Sequence, residues 1–376
     1  MQENTPQVPI TQEAKPEVKG VPQTPQQSPV VPQTPLKPTP PTKPKKWLKT
    51  KILIILIALV SLVTGGFFVW KNVFVPEEVY KGIWLFGLPP NWLASNVEKM
   101  KDIGINTAFL EVIIFETDGN RVGGIDTSHT VADIQTAHEN GLKVALTTGF
   151  APKPKWEDVD IELLNSKIIE LAELAEEYDV EFFAPLNEPD MPNTGRWRQE
   201  ILHKIKEVYH GEIIWKGAGV GLPDKATISE IAEQPPGDFS GYDYIGFSSM
   251  YMPEEFLEPE ELSQYADRLT LEGYSEYFEG VLDYVLAQAE RDGVKGVMIT
   301  EFGVMHVFDQ GSWNEEEVAR AYEIVLEKGK GKVAGFIAFN FLEIELSGNV
   351  PPEFLVHLKG SPKTEEVIRR WFREIL

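Results

Sequence analysis

The chain has 376 residues, of which 42% are hydrophobic, and its formal net charge is −23. This length accommodates one large domain with appended segments, because single domains of up to about 250 residues are common. The absence of cysteine excludes disulfides, thiolate metal sites and cysteine nucleophiles. The acid excess argues against a nucleic-acid partner, because a phosphate backbone is bound by clustered lysine and arginine, and it suits a neutral substrate.

Residues 1–46 form a segment rich in proline, glutamine and threonine. Its prolines interrupt any apolar periodicity, and proline lacks the N–H group that helices and inner strands require. The segment is therefore predicted to be a disordered tail of polyproline II character. Two roles remain open for it: a spacer, or a ligand for a domain that binds PxxP-like spacings.

Residues 47–71 are predicted to form a transmembrane signal-anchor helix, which makes the lipid bilayer an expected partner. Residues 52–69 contain no charge, and this run is close to the minimum length of a spanning helix. Five lysines lie at residues 43–51, directly before the run, and only Lys71 follows it before Glu77, so the positive-inside rule places the N-terminus in the cytoplasm and the later residues outside. A cleaved signal peptide, which would release a secreted protein, is the alternative. Residues 72–79 are predicted to be a linker.

Residues 80–376 alternate short apolar runs with amphipathic helical stretches. Each run is rich in β-branched or aromatic residues, as expected of a strand buried on both faces of a parallel sheet. Eight runs are present, at residues 80–86, 106–115, 142–149, 180–187, 212–219, 242–249, 294–301 and 333–341. A helical stretch follows each run, so the predicted fold is α/β, a (β/α)8 TIM barrel. A doubly wound sheet is the alternative, but no GxGxxG motif follows the first run.

Two glutamates close apolar strands of this predicted barrel. The fourth strand ends in Asn187 and Glu188, within PLNEPD, and the seventh ends in Glu301, within ITEFG. A carboxylate there is costly unless it faces the open mouth of the barrel or is paired. Active sites of such barrels lie at the carboxyl ends of the strands, so Glu188 and Glu301 are expected to face each other across the mouth. Either glutamate could instead lie at the N-terminus of the following helix, which favours carboxylates.

The motifs PLNEPD and ITEFG, on the fourth and seventh strands of an eightfold β/α pattern, resemble those of the clan A glycoside hydrolases. This clan includes the family-five cellulases and mannanases and the related family-113 mannanases. The resemblance implies a retaining glycosidase with Glu188 as the acid/base and Glu301 as the nucleophile. It also implies that Asn187 binds the substrate 2-hydroxyl and that Tyr251, near the end of the sixth strand, hydrogen-bonds to the nucleophile. Core packing is the alternative for Tyr251.

Further candidates for substrate contact lie near strand ends, since sugar rings stack on aromatic side chains through their C–H faces. They are Trp84, Trp156, Trp197, Asn340 and Phe341. Asn340 and Phe341 stand where many clan A members carry a tryptophan, and the second strand contains Glu111 in a region where many family-five enzymes have an arginine. Core packing is the alternative for each tryptophan. The six histidines show no HExxH spacing, so no metal site is predicted, and no cofactor is expected.

These residues predict a retaining glycoside hydrolase whose partner is a carbohydrate substrate. The bond cleaved is expected to be a β-glycosidic bond of a polysaccharide or oligosaccharide, and the family resemblance favours a β-glucan or a β-mannan. Two other functions remain open. A non-catalytic barrel could bind sugar with the same carboxylates, and a transglycosylase could use the same residues to pass the glycosyl unit to an acceptor other than water.

Overall fold

The computed structural model describes residues 78–85, 91–117, 120–150, 155–189, 194–218, 237–252, 269–304, 314–339 and 361–376. For residues 116, 117, 120, 121 and 218 it describes the backbone. The predicted tail and signal-anchor helix, residues 1–46 and 47–71, therefore lie outside the described residues. Within those that are described, no helix is both long enough and apolar enough to cross a membrane.

A closed parallel barrel is the centre of the fold. The described strands are β1 Tyr80–Leu85, β2 Thr107–Thr117, β3 Asn120–Ile125, β4 Lys143–Phe150, β5 Phe182–Ala184, β6 Glu212–Ala218, β7 Tyr244–Tyr251, β8 Gly296–Val304 and β9 Gly335–Phe339. Parallel pairings run from β1 through β2, β4, β5, β6, β7 and β8 to β9, and β9 pairs with β1 to close the ring. These eight parallel strands overlap the eight predicted ones, so the predicted barrel is confirmed.

One strand, β3, was not predicted. It pairs antiparallel with the end of β2, where Phe115 lies opposite Gly124. The two strands are joined by Asp118 and Gly119, a residue pair that favours tight hairpin turns. Because β2 pairs with β4 only as far as Ile114, the β2–β3 hairpin continues beyond the barrel at the carboxyl end of β2. The hairpin therefore stands at the end of the barrel where the predicted site lies.

Helices surround the barrel and follow its strands. They are α1 Trp92–Ile103, α2 Thr130–Glu139, α3 Ile161–Glu177, α4 Thr194–Ile205, α5 Leu271–Asp292, α6 Glu315–Gly329 and α7 Pro362–Arg370, with a 3₁₀ turn at Trp156–Asp158 and a π-helical turn at Trp371–Ile375. Side chains of Asp160, Thr270 and Asn314 accept hydrogen bonds from N–H groups of the first turn of α3, α5 and α6. The weak helical stretch predicted near residues 226–234 lies outside the described residues.

The core has two layers, which follow from the alternation of side chains along each strand. Inside the barrel, Trp84, Phe109, Phe182, Ile214 and Met298 belong to one buried cluster. A second and larger cluster fills the space between the strands and the helices. A strand residue and the residue two positions later point to the same side of the sheet. The side on which each polar residue at the barrel mouth lies can therefore be read from the cluster that its strand neighbours join.

Candidate active site

Lys216 lies at the centre of the polar group inside the barrel mouth. Ile214 faces the barrel interior and Trp215 faces the helices, so alternation turns Lys216 inward again. The Lys216 side chain is completely buried, and its Nζ lies 2.9 Å from Glu301 Oε2 and 3.9 Å from Glu188 Oε1. It also donates a hydrogen bond to Asn187 Oδ1. Three residues that the sequence placed in the site are thus brought together around one ammonium group.

A β-bulge aims Glu301 into the barrel. In β8, Ile299 pairs with Phe247 of β7 but the next pair is Glu301 with Ser248, so Thr300 is an extra residue on β8. Without the bulge, alternation from the inward Met298 would turn Thr300 inward and Glu301 toward the helices. Bulges next to active sites commonly re-aim a side chain in this way. The carboxylate of Glu301 consequently reaches the interior and is only 10% exposed.

Asn187 and Glu188 lie on an irregular turn that continues the sheet after the short strand β5. The N–H of Asn187 donates to the carbonyl of Thr148, and the N–H of Glu188 donates to the carbonyl of Lys216. Glu188 has a φ of 47°, a left-handed conformation that is uncommon for residues other than glycine. Such conformations cost on the order of 1–3 kcal/mol and persist where surrounding bonds fix them. Two strand-like hydrogen bonds therefore hold Glu188 at the rim, where its side chain is 24% exposed.

Glu111 extends the polar group across the barrel toward β2. Its Oε1 accepts a hydrogen bond of 3.1 Å from Asn187 Nδ2. Burial raises the pKa of Glu111 to about 8; Lys216 opposes this rise and Glu301 adds to it. At neutral pH the folded protein therefore keeps Glu111 predominantly protonated, and Glu111 adds little negative charge to the site.

The charge of Lys216 is set by a balance of two effects. Burial alone would lower the pKa of Lys216, but the carboxyl groups of Glu301, Glu188 and Glu111 outweigh burial and raise it above its ordinary value. The face of the Trp84 ring, whose centroid lies 4.9 Å from Nζ, adds a cation–π contact. The site thus contains a buried ammonium whose charge is favoured by the acidic side chains next to it.

Sequence reasoning missed Lys216. Its signal was a single charged residue inside the apolar run EIIWKGA of β6, since a buried lysine is rare unless it is paired. The run was interpreted as a strand by its apolar residues, and the lysine was not assigned a role. Glu111 is likewise a single charged residue inside the apolar run of β2.

The tryptophans predicted to bind substrate occupy three different environments. Trp84 lies in the barrel interior, with its ring centroid 5.2 Å from that of Phe339 and its face toward Lys216. Trp156 is half-buried in the loop after β4 and packs edge-on against Phe150, so its role at the mouth stays a prediction. Trp84 is therefore at the site, but beneath its polar residues.

The prediction that Trp197 contacts substrate is wrong. Trp197 is only 5% exposed on α4, and its Nε1 donates a hydrogen bond of 2.8 Å to Asn165 of α3. Its ring also packs edge-on against Trp215, which belongs to the cluster between strands and helices. A ring enclosed in the helix layer has no free face for a sugar. The sequence singled it out because it lies shortly after the end of the fourth strand, but it belongs to the helix α4, which begins at Thr194.

Tyr251 also belongs to the helix-facing cluster. Its hydroxyl donates to Glu317 of α6 and lies 3.4 Å from the carbonyl oxygen of Leu269. The neighbouring Met250 is the residue that joins the cluster inside the barrel. These contacts favour core packing over the predicted contact with the nucleophile. Asn340 and Phe341 lie outside the described residues.

The described residues show no group of three or more histidine, aspartate or glutamate side chains placed to hold a metal ion. Two carboxyl groups next to a fixed cation can supply acid, base and nucleophilic chemistry. Lys216 Nζ lies 3.9 Å from Glu188 Oε1 and 2.9 Å from Glu301 Oε2, so these two oxygens are at most about 7 Å apart. Retaining glycosidases place their two carboxyl groups ~5–5.5 Å apart, and inverting glycosidases place them ~6.5–9.5 Å apart.

Solved structures with a similar fold include mannanases and an endoglucanase. A GH113 β-1,4-mannanase is 14% identical in sequence, with 80% of this chain and all of that chain covered and a TM-score of 0.55. A GH113 β-mannanase from Alicyclobacillus acidocaldarius is 14% identical, with 80% and 98% covered and a TM-score of 0.54. An endo-β-1,4-glucanase from Xanthomonas axonopodis pv. citri is 13% identical, with 79% and 99% covered and a TM-score of 0.52.

No protein-family profile matches the sequence, and no curated protein matches it. At such low identity the three structures establish the fold alone. The mannanases and the glucanase represent the two groups that the PLNEPD and ITEFG motifs resemble, so the resemblance extends from two short motifs to the whole barrel.

Proposed function

We propose that the protein is a retaining glycoside hydrolase in which Glu188 is the acid/base and Glu301 the nucleophile. The observation that carries the proposal is the pairing of these two carboxylates, from the ends of β5 and β8, around Lys216 at the mouth of the barrel. The upper limit on the distance between them, about 7 Å, lies below most of the range for inverting enzymes.

The two carboxylates differ in the way that the two roles require. Glu301 is the more buried one and is in direct contact with the ammonium, which favours the ionised form that a nucleophile needs. Glu188 is more exposed and lies 3.9 Å from Nζ, so the ammonium holds it less closely. In the first step Glu301 attacks the anomeric carbon while Glu188 protonates the departing glycosidic oxygen. In the second step Glu188 removes a proton from water, which displaces Glu301 from the glycosyl-enzyme.

The proposed substrate is a β-1,4-linked glucan or mannan. Of the solved structures that share the fold, one is described as a β-1,4-mannanase, one as a β-mannanase and one as an endo-β-1,4-glucanase. A neutral polysaccharide also agrees with an acidic protein, since a polyanionic substrate would be repelled by a net charge of −23.

The test is turnover by the full chain on a panel of β-glucans, β-mannans and aryl β-glycosides, with the variants Glu301→Gly and Glu188→Gln. Each variant is expected to lose at least about a thousandfold in kcat on polysaccharide, because the chemistry requires both groups. Azide should restore aryl-glycoside cleavage by Glu301→Gly with inversion at the anomeric carbon. The matched control is Glu200→Gln, an exposed glutamate on α4 paired only with Arg196 in the described structure, which should retain full activity.

Several outcomes would overturn the proposal. Full activity of Glu301→Gly would remove the nucleophile, and the absence of turnover on every substrate, with retained binding of oligosaccharide, would favour a binding barrel. Products in which the glycosyl unit is joined to a sugar acceptor, in preference to water, would identify a transglycosylase.

We further propose that the barrel acts outside the cytoplasm, with residues 47–71 as its anchor. The support is the charge-free run at 52–69 with lysines mainly before it. Protease added to intact cells should degrade the barrel and leave an N-terminal fragment that retains residues 1–46. Resistance of the barrel in intact cells, together with its degradation after lysis, would contradict this orientation.

A further inference from the structure

Lys216 lies against three polar residues of the site rather than a single partner. Its ammonium has three N–H groups and is completely enclosed. It contacts Glu301 at 2.9 Å, donates to Asn187 and lies 3.9 Å from Glu188, with the Trp84 ring on another side. A lysine that only balanced one buried charge would need only one of these contacts.

We infer that Lys216 is a positioning residue that holds the nucleophile Glu301 in its charged, reactive arrangement and fixes the side-chain amide of Asn187 with an N–H group toward the substrate. The inference rests on the proposed function, because it assigns Lys216 a role in the same reaction. The sequence motifs contain only Asn187 and Glu188, after β5, and Glu301, on β8. The inference adds Lys216, which lies on β6.

The orientation of the Asn187 amide follows from its two partners. Lys216 can only donate hydrogen bonds, so the amide atom that it contacts must be the oxygen. The opposite atom is then Nδ2, which donates one of its two hydrogens to Glu111. The second hydrogen of Nδ2 is left for the substrate. Asn187 therefore presents an N–H donor to the substrate, and the sugar oxygen that it meets must accept. The reversed amide is excluded because it would place the Asn187 amide nitrogen against the Lys216 ammonium, and both groups are donors.

The arrangement of Glu301 depends on the same ammonium. Lys216 donates a hydrogen bond of 2.9 Å to Oε2 of Glu301, which fixes the position of this carboxylate in the barrel mouth. A buried charge without a partner is strongly disfavoured, so each member of this pair keeps the other ionised. Among the described residues, Glu111 from β2, Glu188 from the turn after β5 and Tyr322 from α6 are further titratable groups of this region, and none of these three carries positive charge.

The first experiment compares Lys216→Met with Lys216→Arg in the full chain. Methionine keeps the length of the side chain and removes its charge. We expect Lys216→Met to lower kcat by about 100-fold or more, the loss typical of a displaced reacting group. The acid limb of its kcat/KM profile should move to higher pH by about 1–3 units, since Glu301 loses an opposite charge. Lys216→Arg should restore the position of the acid limb and part of kcat.

The matched control is Lys295→Met. Lys295 also pairs with two carboxylates, those of Glu212 and Asp243, but it is exposed at the amino end of β8, away from the site. Its removal should leave kcat and the pH profile unchanged. A folded Lys216→Met variant with wild-type kcat and an unmoved acid limb would overturn the inference, since a purely structural lysine would affect only stability.

A second measurement does not depend on the Lys216→Met variant. Lysine labelled with ¹³C and ¹⁵N is titrated by NMR in the full chain and in Glu301→Gln, and the Lys216 signal is assigned by its absence in Lys216→Arg. The inference requires the Lys216 pKa to fall in Glu301→Gln, and an unchanged titration would refute it. Failure of the proposed function is recognised separately, as the absence of glycoside turnover by the wild-type protein.

Discussion

The carboxyl group of Glu111 occupies the space that a side chain at Gly149 would fill. A Cβ atom at Gly149 would lie 1.5 Å from Glu111 Oε1, far closer than any packing arrangement allows. Gly149 is opposite Ile113 in the β2–β4 register and lies between the strands that carry Glu111 and Asn187. The missing side chain therefore lets Glu111 reach across β4 to the Asn187 amide.

Gly149→Ala should consequently impair catalysis through Asn187. The added methyl group must displace the Glu111 carboxyl and break its hydrogen bond to Asn187 Nδ2, which frees one side of the amide. We expect a fall in kcat/KM of roughly 10- to 100-fold, because small displacements of substrate-binding groups have effects of this size. Steady-state kinetics on an oligosaccharide measures the change.

The control for this variant is Gly195→Ala. Gly195 lies at the start of α4, where an added Cβ would meet only Arg198 Nη2, at 3.9 Å. That variant should keep wild-type kinetics. Equal kinetics of Gly149→Ala and the wild type would show that Glu111 does not support Asn187.

Glu111→Gln should change how stability depends on pH. The pKa of Glu111 is about 8 in the folded protein, against an ordinary value of 4.5, because burial disfavours its charge. Between these two values the folded protein holds a proton that the unfolded chain releases, so Glu111 makes stability fall as pH rises from 4.5 to 8, by at most about 1.4 kcal/mol per unit. Glutamine, which does not titrate and still accepts from Asn187, removes this slope.

The measurement is the free energy of unfolding in urea at several pH values between 4.5 and 9. The difference between Glu111→Gln and the wild type should grow in favour of the variant up to about pH 8 and then level off. Glu200→Gln, at an exposed position, should run parallel to the wild type. A constant difference between Glu111→Gln and the wild type would mean that Glu111 is ionised throughout.

Tyr251→Phe should reduce stability and leave turnover intact. The hydroxyl of Tyr251 donates to Glu317 on α6, so its removal costs a buried hydrogen bond to a carboxylate, about 1.5–3 kcal/mol. Thermal unfolding should shift down by several degrees while kcat stays within twofold of the wild type. Tyr209→Phe, which removes a hydroxyl bonded to the Val180 carbonyl far from the site, provides the matched comparison. A large loss of kcat specific to Tyr251→Phe would instead support contact with the nucleophile.

Glu188 and Glu301 were predictable because a carboxylate that ends an apolar strand is conspicuous in any sequence. Alternation along the strand does not predict the inward direction of Glu301. Strict alternation from Met298 would turn Thr300 inward, and only the bulge turns Glu301 inward instead. A bulge leaves no residue signature in ITEFG. The left-handed backbone of Glu188 is likewise fixed by hydrogen bonds to strands β4 and β6, which are distant in sequence.

Side chains that depend on packing were harder to assign. Trp197 and Trp84 look alike in the sequence, yet Trp197 is enclosed between helices and Trp84 lies under the site. Position relative to a strand end does not decide this, because the starting point of the following helix determines the direction of the ring. Lys216 became interpretable only when its three polar neighbours, from three different segments, were placed around it.

Phe115 is predicted to contact a sugar of the substrate that lies away from the bond being cleaved. Phe109 faces the barrel interior and Glu111 reaches Asn187 there, so alternation along β2 places Phe115 on the same face of the strand, about 13 Å beyond Glu111. It is 41% exposed, and it is the one large hydrophobic side chain among the described residues that is exposed to this degree. Its ring lies against Gly124 of the hairpin strand β3.

An aromatic side chain in this position suits the C–H face of a sugar in a long substrate, well away from Glu301. Phe115→Ala should therefore raise KM for polysaccharide or long oligosaccharides roughly fivefold, corresponding to about 1 kcal/mol of lost aromatic contact. Cleavage of an aryl monoglycoside should be unaffected, since this substrate does not extend along the hairpin. Phe115→Trp, which retains an aromatic face, serves as the control and should keep the wild-type KM. An equal loss on short and long substrates would show that Phe115 supports the fold of the site and does not bind the distal sugar.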